Sequence, residues 1–337
     1  MISNSCIGLN SQSDEYIIYL PEQRIVSLYT EPDCYGASAL ISRSLHLPFT
    51  PRSFAYWLHG WNSIPLKYVE VFGVNYDGTY LVARKDEELF LVKNGKKAHA
   101  IGAPFVYTDY FASACDYRRM AGSLLIMPPH GMSYTTEKWN EQTYIEEIHS
   151  ILKDFEYSAV CISPNDIEKN SWVGAFKKIG VPIIEGAKMS DANALIRMRC
   201  LFNQFEFVTT NSIGSHVAYA AYAGAKVSFY GQYQHLDARS LKNDELYKAH
   251  PEILDFVVEH SSEVSVKERY EFLFCEHPAR AVASVDSAAD WLGCDNMKEP
   301  AKVAGLLNWW PHQQVFHFSK KVYKRLYRTC GKLNSYS

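Results

Sequence analysis

The chain has 337 residues, 47% hydrophobic and 21% charged, which is enough apolar side chain for one large or two medium cores and unlike a disordered segment. Lys and Arg number 34 against 37 Asp and Glu, and the net charge of −3 excludes attraction of the whole molecule to nucleic acid. No run approaches the ~20 apolar residues of a membrane span, and MISNSCIGLNSQSDEY has neither a basic region nor a continuous apolar one, so a cytoplasmic protein is expected.

Along the first 118 residues, RSFAYWLHGW and GTYLVARKD read as strands, Glu87 to Lys96 as a helix and AHAIGAPFVY as a third strand, together a small α/β domain (1–118). A boundary is expected between Tyr117 and Gly122. Regular alternation follows. SLLIMPPH reads as a strand closed by two prolines, and Ile145, Ile148, Leu152 and Phe155 recur at helical spacing. YSAVCISP is a second strand, and a helix from about Ser171 carries Trp172, Val173, Phe176 and Ile179 to a stop at Gly180. VPIIEG, FEFVTT and AKVSFYG are three more strands; a helix capped by Ser190 precedes FEFVTT and NSIGSHVAYAAYAG follows it. Strands alternating with helices, each strand nearly continuous in apolar residues, specify a parallel sheet covered on both faces (119–300). Beyond Gly231 the chain reads as mostly helical, including Glu252 to Glu259 and Ser287 to Leu292.

The tail (301–337) carries seven cations and no acid, leaving −10 on the residues before it. From Val315 to Tyr327, Val315, Phe318, Val322 and Leu326 recur at helical spacing, with Lys320, Lys321, Lys324, Arg325 and Arg328 beside them, a basic amphipathic helix suited to an anionic membrane surface. The alternative is a helix that packs back on the first domain. The eight cysteines are scattered without CxxC or zinc-ligand spacing, so reduced core thiols are expected.

In an open parallel sheet, ligands bind beyond the carboxyl ends of the strands. Those ends read His130-Gly131, Asn165-Asp166, Glu185-Gly186, Asn211-Ser212 and Gly231-Gln232. The most informative segment is Asn211-Ser212-Ile213-Gly214-Ser215-His216, between a strand and a helix of small residues. Its serines, glycine and free backbone N–H groups suit a phosphate, while the plainer alternative is that Ser212 only caps the helix. Glu185 suits a ribose hydroxyl and His130 a phosphate or sugar, while Asn165 and Asp166 lie in SPND, which also reads as an ordinary turn and cap. In the first domain, His59 stands among aromatics in YWLHGW, a setting for sugar stacking beside a proton carrier, with Asp77 and Asp109 as alternative carboxylates for that role. There is no GxG, P-loop, GxSxG, HExxH or DxD, which disfavours hydride transfer, P-loop kinase chemistry, serine hydrolysis and a metal-clamped diphosphate.

With YWLHGW and HAIGAPFVY in the first domain and FVTTNSIGSHVAYAAYAGAKVSFYG in the second, the chain resembles GT-B glycosyltransferases of bacterial capsule, O-antigen or lipopolysaccharide assembly. The resemblance implies two Rossmann-like domains facing a cleft, a nucleotide sugar held by the second and a glycan or lipid-linked acceptor presented by the first. It gives Ser212 and Ser215 the phosphate role of the serine or threonine pair in sialyltransferase-like and Kdo-transferase-like enzymes. The His-Pro dipeptide of those sialyltransferases is replaced here by Ser163-Pro164-Asn165, so the nucleotide stays open, with a CMP-sugar as a minority choice. No cofactor or metal is expected. A nucleotide-sugar 2-epimerase and a sugar-binding protein without chemistry are the competing expectations. The first would need carboxylates such as Glu185 and Asp166 around the sugar.

Overall fold

The structure is a computed structural model that describes residues 4–10, 15–73, 76–129, 141–169, 172–236, 241, 244–317 and 319. Among the described residues it is a mixed α/β protein with two parallel sheets and one hairpin.

The larger sheet holds β6 (Met120–Met127), β7 (Tyr157–Ile162), β8 (Ile183–Glu185), β9 (Phe205–Thr210) and β10 (Lys226–Phe229), all parallel, in the order β10-β9-β6-β7-β8. The chain therefore starts in the middle, winds outward through β7 and β8, then crosses back past β6 to β9. Neighbouring side chains of β6 go to opposite faces, as its pleat requires. Leu124 and Ile126 pack with Tyr144, Ile148, Val160 and Phe176, whereas Leu125 packs with Val208 and Phe202 on the other side. The outer cover is α3 (Glu141–Ile151) and α5 (Val173–Lys178). The inner cover is α6 (Ala194–Gln204) and α7 (Ser215–Tyr222).

The smaller sheet is β3 (Ala55–Trp57), β4 (Thr79–Val82) and β5 (Lys97–Ala100), also parallel and in chain order. Its outer face rests on α2 (Lys85–Lys93) through Tyr80, Val82 and Leu91. Helix α6 is apolar around most of its circumference because it is enclosed on most sides, with Leu195, Ile196, Cys200, Leu201 and Phe202 all buried. One contiguous core consequently joins the two sheets, running from Trp57 and Leu81 through Phe105 and Phe202 to Val208. Phe105 stacks on Tyr219 of α7 with ring centres 4.1 Å apart.

Several local expectations are corrected. The third strand stops at Ala100, and residues Pro104–Cys115 form a 3-10 helix instead, because Pro104 has no N–H to offer a sheet and fits a first helical turn. Helix α6 starts at Ala194 with Asn193 as its cap rather than at Ser190. The intervening turn is pulled outward by the segment near Arg24, whose backbone N–H donates to Asp191 Oδ1 at 2.8 Å and whose carbonyl accepts from Ala192 N at 2.8 Å. The α2 helix spans Lys85–Lys93, since Gly95 follows in the left-handed region at φ +75°. Cys115 and Cys200 are joined in a disulfide, so reduced thiols fail as an expectation for that pair.

The opening residues also form an element that sequence patterning did not show. β1 (Asn4–Asn10) and β2 (Glu15–Pro21) make an antiparallel hairpin that lies on α6. Gln204 of α6 fixes it, accepting from Tyr19 N at 3.0 Å and donating to Tyr19 O at 2.9 Å. At the other end of the chain, α11 (Val285–Leu292) packs on α7 and α12 (Pro300–Leu306) on α1 (Ala37–Ser44). Gly293 closes α11 at φ +66°, where an added Cβ would lie 2.0 Å from Ala83 O, so only glycine permits this approach to the β4 end. Helical residues 311–317 follow. Gln314 Nε2 donates to Arg52 O at 2.9 Å and His317 stacks on Phe54 at 4.1 Å, while Val315 and Phe316 face solvent. The basic part of the expected tail helix, from Lys320 on, lies outside the described residues, as does Phe318. No helix among the described residues is long and apolar enough to cross a membrane.

Candidate functional site

The order of the large sheet places its topological switch between β6 and β9, the adjacent strands from which the chain departs in opposite directions. In open parallel sheets such a switch point is where ligands bind, which here is the region beyond Met127 and Thr210. The loop after β9 is the one singled out by sequence, Asn211 to His216. His130, in the loop after β6, lies outside the described residues.

The loop is built differently at each residue. Asn211 is fully buried; its Nδ2 donates to Gln232 O at 2.7 Å and its carbonyl accepts from Gln234 N at 2.8 Å, so it staples the β9 and β10 loops together. Asn211 Oδ1 remains buried without a hydrogen-bond partner. Ser212 does not cap the helix: α7 begins at Ser215 with Gly214 as its cap in extended conformation. The backbone N–H groups of Gly214 and Ser215 have no protein acceptor among the described residues. The His216 ring turns back over this loop, its Nε2 3.0 Å from Thr210 Oγ1.

The small sheet delivers its own strand end to the same place. At the carboxyl end of β3 the chain runs Leu58-His59-Gly60-Trp61, and Trp61 N donates to Ser215 Oγ at 2.8 Å. A Cβ on Gly60 would stand 2.9 Å from that oxygen, so the absent side chain is what allows the contact. Tyr219 Oη, one turn into α7, donates to His59 O at 2.5 Å. Two predicted sites, the His59 segment and the Ser215 helix start, are thereby held in direct contact although 156 positions separate them.

His59 has a partner that sequence did not reveal. The 3-10 helix Glu31–Gly36 presents Glu31 to His59 Nδ1 in a hydrogen bond, and Tyr35 packs against the ring at 5.1 Å. A carboxylate can only accept, so Nδ1 carries the proton and Nε2 is left as the basic nitrogen. No hydrogen-bond partner holds Nε2 among the described residues. Glu31 is separated from His59 by 28 positions, and the one local signal was a helix-start pattern, Thr30-Glu31-Pro32-Asp33, whose capping box the structure contains. Cys34 is the third member: its Sγ lies 3.9 Å from Glu31 Oε2, and ligand atoms of Glu31, Cys34 and His59 all fall within 4.8 Å of one another. Those three donor types are ones zinc accepts. In the protein as described, burial first, then the charges of Glu31 and Asp33, push the Cys34 thiol up to about 12, so it is a neutral thiol and no nucleophile.

The remaining predicted residues are not brought here. Asp77 precedes β4, at the amino edge of the small sheet, whereas His59 follows the paired strand at its carboxyl edge. Asp77 lies two residues before the Ala55–Thr79 pair and His59 two residues after the Trp57–Leu81 pair, so the whole paired length of the strands stands between them. Asp109 is exposed on the Pro104–Cys115 helix and engaged elsewhere, paired with Arg199 Nη1 at 3.2 Å and accepting from Tyr222 Oη. Asn165 is exposed in the first turn of α4 (Pro164–Glu168), one strand from β6. Glu185 is exposed at the end of the edge strand β8, about 10 Å of sheet width from β6. Asp166 is buried at 3% exposure and bonded to Ser163 Oγ at 2.5 Å.

Comparison with protein families, curated proteins and solved structures gives no match to this chain.

Proposed function

We propose that the protein is a glycosyltransferase that moves a sugar from a nucleotide-sugar donor to a glycan acceptor of bacterial surface polysaccharide synthesis, its two parallel-sheet units acting in a GT-B-like arrangement. The observation that carries this reading is the contact between His59-Gly60-Trp61 and Ser215-Tyr219, which sets an oriented imidazole beside the loop at the sheet's switch point. The donor phosphate would dock on the Gly214 and Ser215 N–H groups with the Ser212 and Ser215 hydroxyls. Departure of the nucleotide concentrates negative charge on that phosphate, and fixed donors stabilise it without reorganising. On the opposite side, His59 Nε2 would take the proton from an acceptor hydroxyl as its oxygen bonds to the anomeric carbon and the carbon–phosphate oxygen bond breaks. Glu31 holds the ring in the useful tautomer and stabilises the imidazolium that results. Asp166 is buried and tied to Ser163, which removes one of the carboxylates a 2-epimerase would need around the sugar.

A second reading is favoured by one observation, the convergence of Glu31, Cys34 and His59 ligand atoms. A zinc ion there would deprotonate Cys34 and occupy the imidazole, so His59 could not also serve as base.

The test begins with thermal shift against UDP, GDP, CMP and dTDP, in which the cognate nucleotide at 100 times its Kd stabilises by about 2.7 kcal/mol. Transfer is then measured with the matching donor, with and without EDTA. Stabilisation by one nucleotide and full turnover in EDTA support the base reading. Turnover lost to EDTA and restored by zinc replaces it with the metal reading, and indifference to all four nucleotides removes transfer.

A further inference from the structure

The Glu31–Gly36 turn has a second side. Where Asp33 and Gly36 project, a cavity of about 550 Å³ opens between this turn, the segment from Arg24 to Tyr29 and the loop from Leu47 to Arg52. Arg24, Arg43 and Arg52 all line it. Its single acidic lining residue is already saturated, since Asp33 Oδ1 accepts from Ser38 Oγ at 2.8 Å and Oδ2 from the N–H groups of Tyr29 and Thr30 at 3.1 Å each. Three arginines thus line a cavity that offers them no free carboxylate, and the Arg52 guanidinium lies over the Tyr29 ring at 5.8 Å, leaving the other face of that ring open to a ligand.

Arg43 shows the imbalance at atomic scale. Its Nη2 donates to Asn193 Oδ1 at 2.6 Å and to Ala192 O at 3.2 Å, but Nη1 is buried with no hydrogen-bond partner. Burial first, then the like charge of Arg24, lower the Arg43 pKa, and Asp191, which acts against them, is itself paired with Arg197 at 3.4 Å. A buried donor left unmatched is costly, and a bound anion would satisfy it. At the rim two aromatic side chains stand largely in solvent, Tyr29 at 69% and Phe49 at 71% exposure. Exposed rings over a polar cavity suit the apolar face of a sugar.

We propose that this cavity binds an anionic sugar, with its carboxylate or phosphate on Arg43, Arg24 and Arg52 and its ring against Tyr29 or Phe49. Binding does not depend on the transfer reading; its meaning does, because on that reading the acidic sugar belongs to the acceptor. Asp33 and Glu31 are two positions apart in one turn, so a glycan seated here by its acidic residue would extend past that turn toward His59.

Ligand-observed NMR with glucose, glucuronate and glucose 6-phosphate tests the proposal on the full chain. Arg43 also ties down the 192–193 backbone, so the variant is the double substitution of the exposed Arg24→Gln and Arg52→Gln. At least one of the two anions should bind where glucose does not, and the double variant should weaken that binding about tenfold or more with its melting temperature unchanged. Which anion wins identifies carboxylate or phosphate as the recognised group. Equal binding of glucose, no binding of either anion, or an unaffected double variant overturns the proposal. Nucleotide thermal shifts on the same two proteins keep the failures apart. Intact nucleotide binding with no sugar binding removes the cavity alone, and the reverse pattern removes transfer alone.

Discussion

At the scale of single residues, the candidate site turns on whether each side chain is free or already engaged. His59 has one nitrogen committed to Glu31 and the other open, so the pair should behave as a unit. Glu31→Gln and His59→Asn are each expected to lower kcat by about 10²–10⁴, with nucleotide affinity unchanged, as read by steady-state kinetics beside calorimetry. Near-normal kcat in His59→Asn would move the base elsewhere, and near-normal kcat in Glu31→Gln would show that the carboxylate charge is not needed behind the ring. Ser215 is engaged on both sides, its oxygen accepting from Trp61 N and its O–H bonded to Tyr219, so a docked phosphate would have to redirect that O–H. Ser215→Ala should weaken nucleotide binding and also cost about 1 kcal/mol of stability for the orphaned Trp61 N–H, so calorimetry and denaturant unfolding should both register the change. A variant that shifts stability alone would reduce Ser215 to a structural staple.

Among the elements, the connection from β8 to α6 determines how the first segment of the chain is docked. Asp191 is fully buried, accepts from Arg24 N and Asn193 N at 2.8 Å each, and pairs with Arg197 Nε at 3.4 Å. Arg197 in turn donates to Pro21 O at the end of β2. Removing the charge would leave a buried guanidinium unpaired, and Asp191→Asn is expected to destabilise by about 3–5 kcal/mol in urea unfolding. A loss below about 1 kcal/mol would show that the backbone bonds alone hold this junction. The elements themselves were largely legible. FEFVTT, AKVSFYG and YSAVCISP are short apolar runs between turn residues, and each is a strand within two residues of the expected bounds. Misplaced ends, such as Ser190 for Asn193, occurred where a distant segment competes for the local backbone bonds.

For the whole molecule, the shared core and the Cys115–Cys200 bond tie the link between the sheets to helix α6. The bond closes a loop across a separation of 85 residues, and the chain-entropy account gives it about 4–5 kcal/mol. Reduction, or Cys115→Ser with Cys200→Ser, should lower the melting temperature in parallel; unchanged melting under dithiothreitol would mean that the bond is not formed in the purified protein. The basic tail belongs to this scale too, because residues 311–317 dock on Arg52 and Phe54 while Val315 and Phe316 stay exposed. Each cation near anionic lipid contributes about 1 kcal/mol. The full chain should co-sediment with anionic liposomes at low salt and a chain ending at Gln314 should not, and equal behaviour of the two would reject a membrane role for the tail.

Sequence alone was sufficient for what depends on neighbours along the chain: the alternation of strands and helices, the parallel character of the larger sheet, and the glycine–serine helix start after FEFVTT. Periodicity and turn chemistry are local, so they survive without tertiary information. Strand order was beyond its reach, and with it the β6–β9 switch point, because any of several windings satisfies the same pattern of apolar runs. The hairpin's place on α6 was equally hidden. So was the partnership of Glu31 with His59, which depends on a turn and a strand end meeting in space rather than on spacing in the chain. Asp77 was a reasonable candidate by residue type, and only the direction of β4 put it at the opposite edge of the sheet.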